Sequence, residues 1–234
     1  MKAAIFDMDG VIADTNPHHL ITWGEYARRY FNHELTEEEF ARHVSGRTNA
    51  AIVEYLLKGE TLPVEEVIRM GDAKEALFRE VYAPHAAPVP GLIPFLKELK
   101  AAGIKTAVAT SAPPENLTFM VEALGLEPYF DLLLDVSRVT HPKPHPEIYL
   151  LAMAGLGVEP SEAVVFEDSI PGIQAGLASG AKVVGLATTH QPEELTNVSL
   201  VVRDFTELRL EQLMDMPVSE RSYGRTGSAD FTEK

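Results

Sequence analysis

From Gly91 onward the chain alternates short, β-branched apolar runs with helical segments, and this rhythm restricts the fold more than any other feature. LIPFLKELKAAG reads as a helix and IKTAVAT as a strand; a helix over 115–124, strand DLLLD, a helix over 146–156 and strand AVVFE follow. A helix over 171–179, strand KVVGLAT, a short helix near Glu193, strand SLVVR and a last helix to about Met214 complete the series. Strands covered on both faces read as continuous apolar runs, and parallel neighbours need helical crossovers between them. The pattern predicts an α/β chain with a Rossmann-like parallel sheet covered by helices on both faces.

The N-terminal part breaks the rhythm. Lys2 to Phe6 supplies one further strand, but from Pro17 to about Tyr82 every signal is helical. The segment LITWGEYARRYF, a capping-box start at Thr36 with Glu39, TNAAIVEYLL and a long helix after Pro63 follow one another without a strand. In the last of these Val67, Met70, Ala73, Leu77 and Val81 form the apolar stripe. Pro84, Pro88 and Pro90 then end helical structure in APHAAPVPG. Residues 1–15 and 84–216 are therefore expected to form a core domain, and 16–83 an all-helical domain inserted into it. Residues 217–234 lack apolar periodicity and read as a flexible tail.

Charge narrows the partners. Lys and Arg number 20 against 35 Asp and Glu, a net charge of −15, so the average surface repels nucleic acid and anionic lipid. An anionic substrate would need positive charge placed locally, as a metal ion or a few basic side chains. The absence of cysteine excludes thiolate metal sites and Cys nucleophiles. No run of about 18 apolar residues and no secretory signal is present, which makes the cytoplasm the expected location.

In an open parallel sheet, ligands sit beyond the carboxyl ends of the strands. Asp7 and Asp9 follow the first strand, Thr110 and Ser111 the second, a loop with Lys143 the third, and Glu167 and Asp168 the fourth. An Asp-x-Asp alone is an ordinary way to begin a turn. Brought to one face, however, these groups supply a carboxylate nucleophile, a second carboxylate, hydroxyl and amide donors, an ammonium and an acidic pair. That inventory suits phosphoryl transfer with Mg²⁺ held by hard oxygen ligands.

The motifs DMDGV, VATS, HPKPHPE and VFEDSIPGI, in this order, resemble those of the haloacid dehalogenase-like phosphotransferase superfamily, over roughly residues 1–215. The resemblance implies that Asp7 attacks phosphorus to form an aspartyl phosphate. It gives Asp9 the proton transfers to the leaving oxygen and from the next acceptor. Both carboxylates reach one site only if the chain turns after Asp7, which Gly10 permits. Mg²⁺ is expected at the Asp7 side chain, the Asp9 backbone carbonyl, Glu167 and Asp168. Thr110, Ser111 and Ala112, with their backbone, and Lys143 would hold the phosphoryl group. Ala112 stands where an Asn often follows the hydroxyl residue, which leaves Asn116 open as a substrate contact. The second Asp argues against carbon–halogen cleavage, since a halide leaves without protonation.

The helical insertion is similar to the small cap of the β-phosphoglucomutase-like branch, with DTNPHHLITW placing His19 and Trp23 on its first helix. Arg47 in VSGRTN and Lys74 complete the residues expected to meet substrate. Each also has a plainer reading: His19 as packing against the linker, Trp23 as cap core, Arg47 as a polar-loop residue, Lys74 as a solvated residue paired with an acid one turn away. His141 and His145 have an H-x₃-H spacing, but Pro142, Pro144 and Pro146 prevent the helix that would align them, which argues against a metal role. Neither a phosphate-binding P-loop nor a nucleophile elbow is present.

These readings converge on a Mg²⁺-dependent phosphatase for a small phosphorylated metabolite, a sugar phosphate by preference. The alternative acceptor is a sugar hydroxyl, as in β-phosphoglucomutase; the alternative of another class is a catalytically silent binding protein. A monomer or weak homo-oligomer without nucleic acid or membrane partners is expected.

Overall fold

A computed structural model of the chain describes residues 1–216. The tail expected over 217–234 lies outside the described residues. Six parallel strands form one sheet in the order β3-β2-β1-β4-β5-β6, an α/β, Rossmann-like arrangement. They are β1 (Ala3–Phe6), β2 (Lys105–Ala109), β3 (Leu132–Leu134), β4 (Ala163–Glu167), β5 (Lys182–Leu186) and β6 (Leu200–Val202).

Alternation along each strand divides the core into two layers. Ala4, Phe6, Val108, Val164, Phe166 and Val184 face one layer; Ala3, Ile5, Ala107, Val165 and Val183 face the other. The helices α5 (Leu92–Ala101), α6 (Pro114–Leu124) and α9 (Leu210–Asp215) cover the first. Here the Phe6 and Phe166 rings stack at 4.7 Å. The helices α7 (Glu147–Leu156) and α8 (Ile170–Ala178) cover the second. Register sets the site: Phe6 pairs with both Val108 and Phe166, so the next residues, Asp7, Ala109 and Glu167, come level at the carboxyl edge.

Between β1 and α5 stand four helices, α1 (Asn16–Phe31), α2 (Glu37–His43), α3 (Asn49–Leu56) and α4 (Val64–Tyr82). They close around their own apolar cluster of Trp23, Tyr26, Phe40, Ile52, Val53, Leu56 and Met70. The capping box at Thr36 is formed as the sequence predicts, with Glu39 and Thr36 satisfying each other's backbone N–H groups.

Two expectations about helices need correction. The short helix near Glu193 is a single 3-10 turn, Pro192–Glu194. On α4 the inward face is Met70, Gly71, Lys74, Glu75, Phe78 and Tyr82, while Ala73 is exposed and Leu77 and Val81 are half-buried. Hydrophobic periodicity misplaces this face because the helix looks onto a polar cavity, which rewards paired charges rather than methyl groups. Among the described residues no helix is long and apolar enough to cross a membrane.

Candidate active site

The strand ends deliver their acids to one buried point. Asp7 is anchored by its N–H to the Phe166 carbonyl (3.0 Å), and its Oδ1 accepts from Lys143 Nζ at 2.6 Å. The same ammonium reaches Glu167 Oε1 at 2.7 Å and the Ala109 carbonyl at 3.1 Å. Tyr149 donates its hydroxyl to Glu167 Oε1 (2.6 Å) and Ser169 its own to Glu167 Oε2 (3.0 Å). Asp168 Oδ2 accepts from Asn16 Nδ2 at 3.0 Å and from the Thr189 hydroxyl. Gly10, at φ +77°, makes the turn that leaves β1, and a Cβ there would lie 2.0 Å from Asp168 Oδ2. Only glycine fits.

Burial raises the Asp7 carboxyl to about 7, with the Glu167 and Asp9 charges adding to it and Lys143 opposing. Burial, followed by the charges of Glu167 and Asp7, pushes Asp168 well above the usual carboxylate range. Lys143 is held in its charged form: burial works against it, but the two carboxylates outweigh burial. Three buried acids, Asp7, Glu167 and Asp168, thus lie with ligand oxygens within 4.8 Å of one another, and one ammonium bonds two of them. An oxygen-only donor set with surplus negative charge fits a hard divalent cation of the Mg²⁺ class.

Asp9 turns away from this cluster toward the insertion. Its Oδ1 accepts from the Thr15 hydroxyl at 2.6 Å and lies 3.3 Å from His19 Nε2. Burial would raise its carboxyl, yet His19, Thr15 and Lys74 together hold it below the usual range. His19 stacks on Phe78 at 3.7 Å, and its Nδ1 meets Lys74 Nζ at 2.7 Å. Lys74 also donates to Glu75 Oε1 at 2.9 Å and lies 4.9 Å from the Trp23 ring centre. The cavity bounded by Asp7, Asp9, His19, Lys74, Arg47 and Ser111 has a volume of about 50 Å³. Residues of both the insertion and the strand ends line it.

A family model described as haloacid dehalogenase-like hydrolase matches residues 1–180. The chain belongs to this family. Its relatives place it in the β-phosphoglucomutase-like branch of the haloacid dehalogenase-like hydrolases. It is 31% identical to a validoxylamine A 7'-phosphate phosphatase of Streptomyces hygroscopicus subsp. limoneus, over 89% of this chain and 96% of the relative. It is likewise 31% identical to a phosphorylated carbohydrates phosphatase of Thermotoga maritima, over 85% of this chain and 98% of the relative. Among solved structures, a β-phosphoglucomutase from Clostridium difficile superposes with a TM-score of 0.82 at 26% identity, covering 92% of this chain and 96% of that one. As a haloacid dehalogenase-like protein of this branch, the chain is an enzyme of the phosphohydrolase and phosphotransferase type.

The residues singled out in the sequence of this haloacid dehalogenase-like enzyme fall into two groups. Asp7, Lys143, Glu167 and Asp168 form the inner cluster; Asp9, His19, Trp23, Arg47, Lys74, Thr110, Ser111 and Ala112 line the cavity above it. Thr110 and Ala112 are tied to each other, Ala112 N–H to Thr110 Oγ1 at 3.0 Å, while the Ser111 hydroxyl reaches across to the Gly46 carbonyl at 3.3 Å. Trp23 is both insertion core and cavity wall. Lys74 is 1% exposed and bonded to its neighbour Glu75, which overturns its solvated reading. Arg47 is exposed at the cavity rim. Sequence reasoning missed Thr15, Asn16, Glu75 and Thr189, and left Asn116 undecided. Its side chain is buried between Glu75 and Arg79.

Proposed function

We propose that the chain is a Mg²⁺-dependent phosphatase for small phosphorylated metabolites, sugar phosphates foremost, working through an aspartyl phosphate on Asp7. The observation that carries this reading is the grouping of Asp7 with Glu167 and Asp168, Lys143 bridging Asp7 and Glu167, with Asp9 two residues away on separate hydrogen bonds. The names of the two curated relatives, a phosphatase of a sugar-like phosphate and one of phosphorylated carbohydrates, support the substrate class.

In the first half-reaction an Asp7 carboxylate oxygen bonds to phosphorus as the ester oxygen departs, and the departing oxygen takes from Asp9 a proton that this carboxylate, held ionised by His19, Thr15 and Lys74, must first gain from solvent. In the second, Asp9 as carboxylate takes a proton from water, whose oxygen bonds to phosphorus while the Asp7–phosphorus bond breaks. Free phosphate and the original carboxylate result. Lys143 and the Ser111 turn hold the phosphoryl oxygens throughout. Asp7, Glu167 and Asp168 would hold Mg²⁺, which supplies Lewis-acid neutralisation of the phosphoryl charge. Helices 16–82 act as a cap, with His19 orienting Asp9 and Arg47 meeting the far end of the substrate.

A phosphate-release screen across sugar phosphates, with Asp7→Asn as control, tests the proposal. Release by wild type that survives unchanged in Asp7→Asn would sink it.

One observation favours β-phosphoglucomutase as a second reading. The fold superposes on a β-phosphoglucomutase with a TM-score of 0.82 at 26% identity, and a cavity lined from both the insertion and the strand ends is one from which the insertion could keep water while a sugar hydroxyl accepts the phosphoryl group. Incubation with β-glucose 1-phosphate and a trace of glucose 1,6-bisphosphate separates the two: glucose 6-phosphate marks the mutase, free phosphate the phosphatase. Enzyme character leaves no place for the silent binding protein.

A further inference from the structure

The loop that carries Lys143 inward carries two histidines outward. The prolines of 141–147 do exclude a helix, as the sequence indicates, but a turn does what the helix would have done. The His145 N–H bonds to the Pro142 carbonyl at 3.0 Å, and the His141 and His145 rings come to 4.8 Å between centres. Glu147 joins them at the start of α7. Its carboxylate is fixed by the backbone N–H groups of Thr140 and His141, both at 2.9 Å. These bonds, that of Thr140 first, hold it below the usual carboxylate range and hence ionised. Glu147 Oε2 lies 2.9 Å from His141 Nδ1 and 3.9 Å from His145 Nδ1, which also receives a long bond (3.3 Å) from the Glu147 N–H.

One ligand atom from each of the three residues lies within 4.8 Å of the other two. A four-coordinate ion with bonds of about 2.0–2.1 Å separates its ligands by about 3.3 Å, so the two carboxylate–imidazole spacings, 2.9 and 3.9 Å, bracket that geometry, and rotation of the exposed rings completes it. Two imidazoles and a carboxylate form a borderline donor set that selects Zn²⁺, Ni²⁺ or Co²⁺ over Mg²⁺. His141 and His145 are 63% and 51% exposed, so an ion enters without unfolding and a water completes its shell.

We propose that His141, His145 and Glu147 form a transition-metal site of the Zn²⁺ class on the outer face of the loop whose inner face presents Lys143. The site is independent of the reading given for the inner acids. Only Pro142 and Pro144 separate Lys143 from the two histidines, and both restrict the backbone. Zn²⁺ bound outside therefore fixes the conformation that places Nζ against Asp7 and Glu167 inside.

Isothermal titration of tag-free protein with Zn²⁺, in millimolar Mg²⁺ to occupy the inner acids, tests this. Wild type is expected to bind one more Zn²⁺ per chain than His141→Ala/His145→Ala, and His145→Ala alone to weaken that ion by about tenfold or more. Both histidines are exposed, so the variants keep the wild-type melting temperature without metal. Glu147 is left intact because it holds the loop. Equal stoichiometry and affinity in wild type and double variant overturn the site. Amide exchange over 141–147 reads the coupling: added Zn²⁺ slows it in wild type, and Zn²⁺ binding without slowing overturns the link to Lys143.

Discussion

Glu75 Oε2 accepts the amide of Asn116 at 2.6 Å, joining α4 of the helical insertion to α6 beside the sheet. Arg79, one turn further along α4, donates to the other end of the same amide, also at 2.6 Å. A single side chain is gripped at both of its polar atoms, and Glu75 is itself held by the buried Lys74.

Removing that amide should release the insertion. Hydrogen bonds to charged groups are worth about 1.5–3 kcal/mol, so Asn116→Ala should shift the balance between closed and open forms by about 10- to 100-fold. Small-angle scattering of the ligand-free protein should show a larger radius of gyration, and KM should change with it. Identical scattering profiles for variant and wild type would refute the latch.

Gly10→Ala should fold and bind Mg²⁺ more weakly. The new Cβ meets Asp168 Oδ2 and the residue must keep φ +77°, a strain of about 1–3 kcal/mol. Circular dichroism should stay native while the Mg²⁺ concentration for half-maximal phosphate release rises by about tenfold or more. A wild-type Mg²⁺ response would count against the placement of Asp168 as ligand.

Mg²⁺ should stabilise as well as activate. With Asp7, Glu167 and Asp168 crowded together and one ammonium among them to bond two, saturating Mg²⁺ at about a hundred times its Kd should add about 2.7 kcal/mol, or about 5–10 °C in Tm for a chain of this size. Scanning calorimetry with Mg²⁺ and with chelator measures the gain. Asp168→Asn should shrink it, and an equal gain in that variant would argue for a different site.

Within the insertion Glu39 joins Tyr55 and His33 in a clasp that should respond to pH. The Tyr55 hydroxyl bond lowers Glu39 most; burial opposes it, and His33 adds to the lowering, at 2.7 Å. Tyr55 is correspondingly pushed up to about 12, with burial the larger cause. A carboxyl with a depressed folded pKa stabilises fully above the unfolded value, near 4.5, and loses that contribution as pH falls through the folded value. Glu39→Gln should therefore lower Tm at pH 7 by the equivalent of about 1 kcal/mol, and the gap to wild type should close between pH 5 and 3, ranges set by the ordinary carboxylate pKa. A gap of constant size across that range would exclude ionised Glu39 as its source.

The sheet was legible because Val108, Val164, Phe166 and Val184 sit in runs that only a strand buried on both faces explains, and strand ends then pointed to Asp7, Lys143, Glu167 and Asp168. The cap side was less so. Lys74 and Glu75 look like surface residues until the cavity they face is known, and the apolar stripe on α4 misled for the same reason. Asn16 lies 152 residues from Asp168, a contact no local pattern announces. The histidines of HPKPHPE were weighed only as a helical pair, whereas a turn brings them together.

Asn116 is held by Glu75 and Arg79 of α4, so a substrate that enters by moving the insertion adds one unlatching and one relatching to every turnover. Throughput would then have a mechanical ceiling distinct from the chemistry proposed at Asp7. Solvent viscosity should slow such an enzyme even with its carboxylates untouched, and a lineage can retune its flux at Asn116 while its nucleophile stays the same.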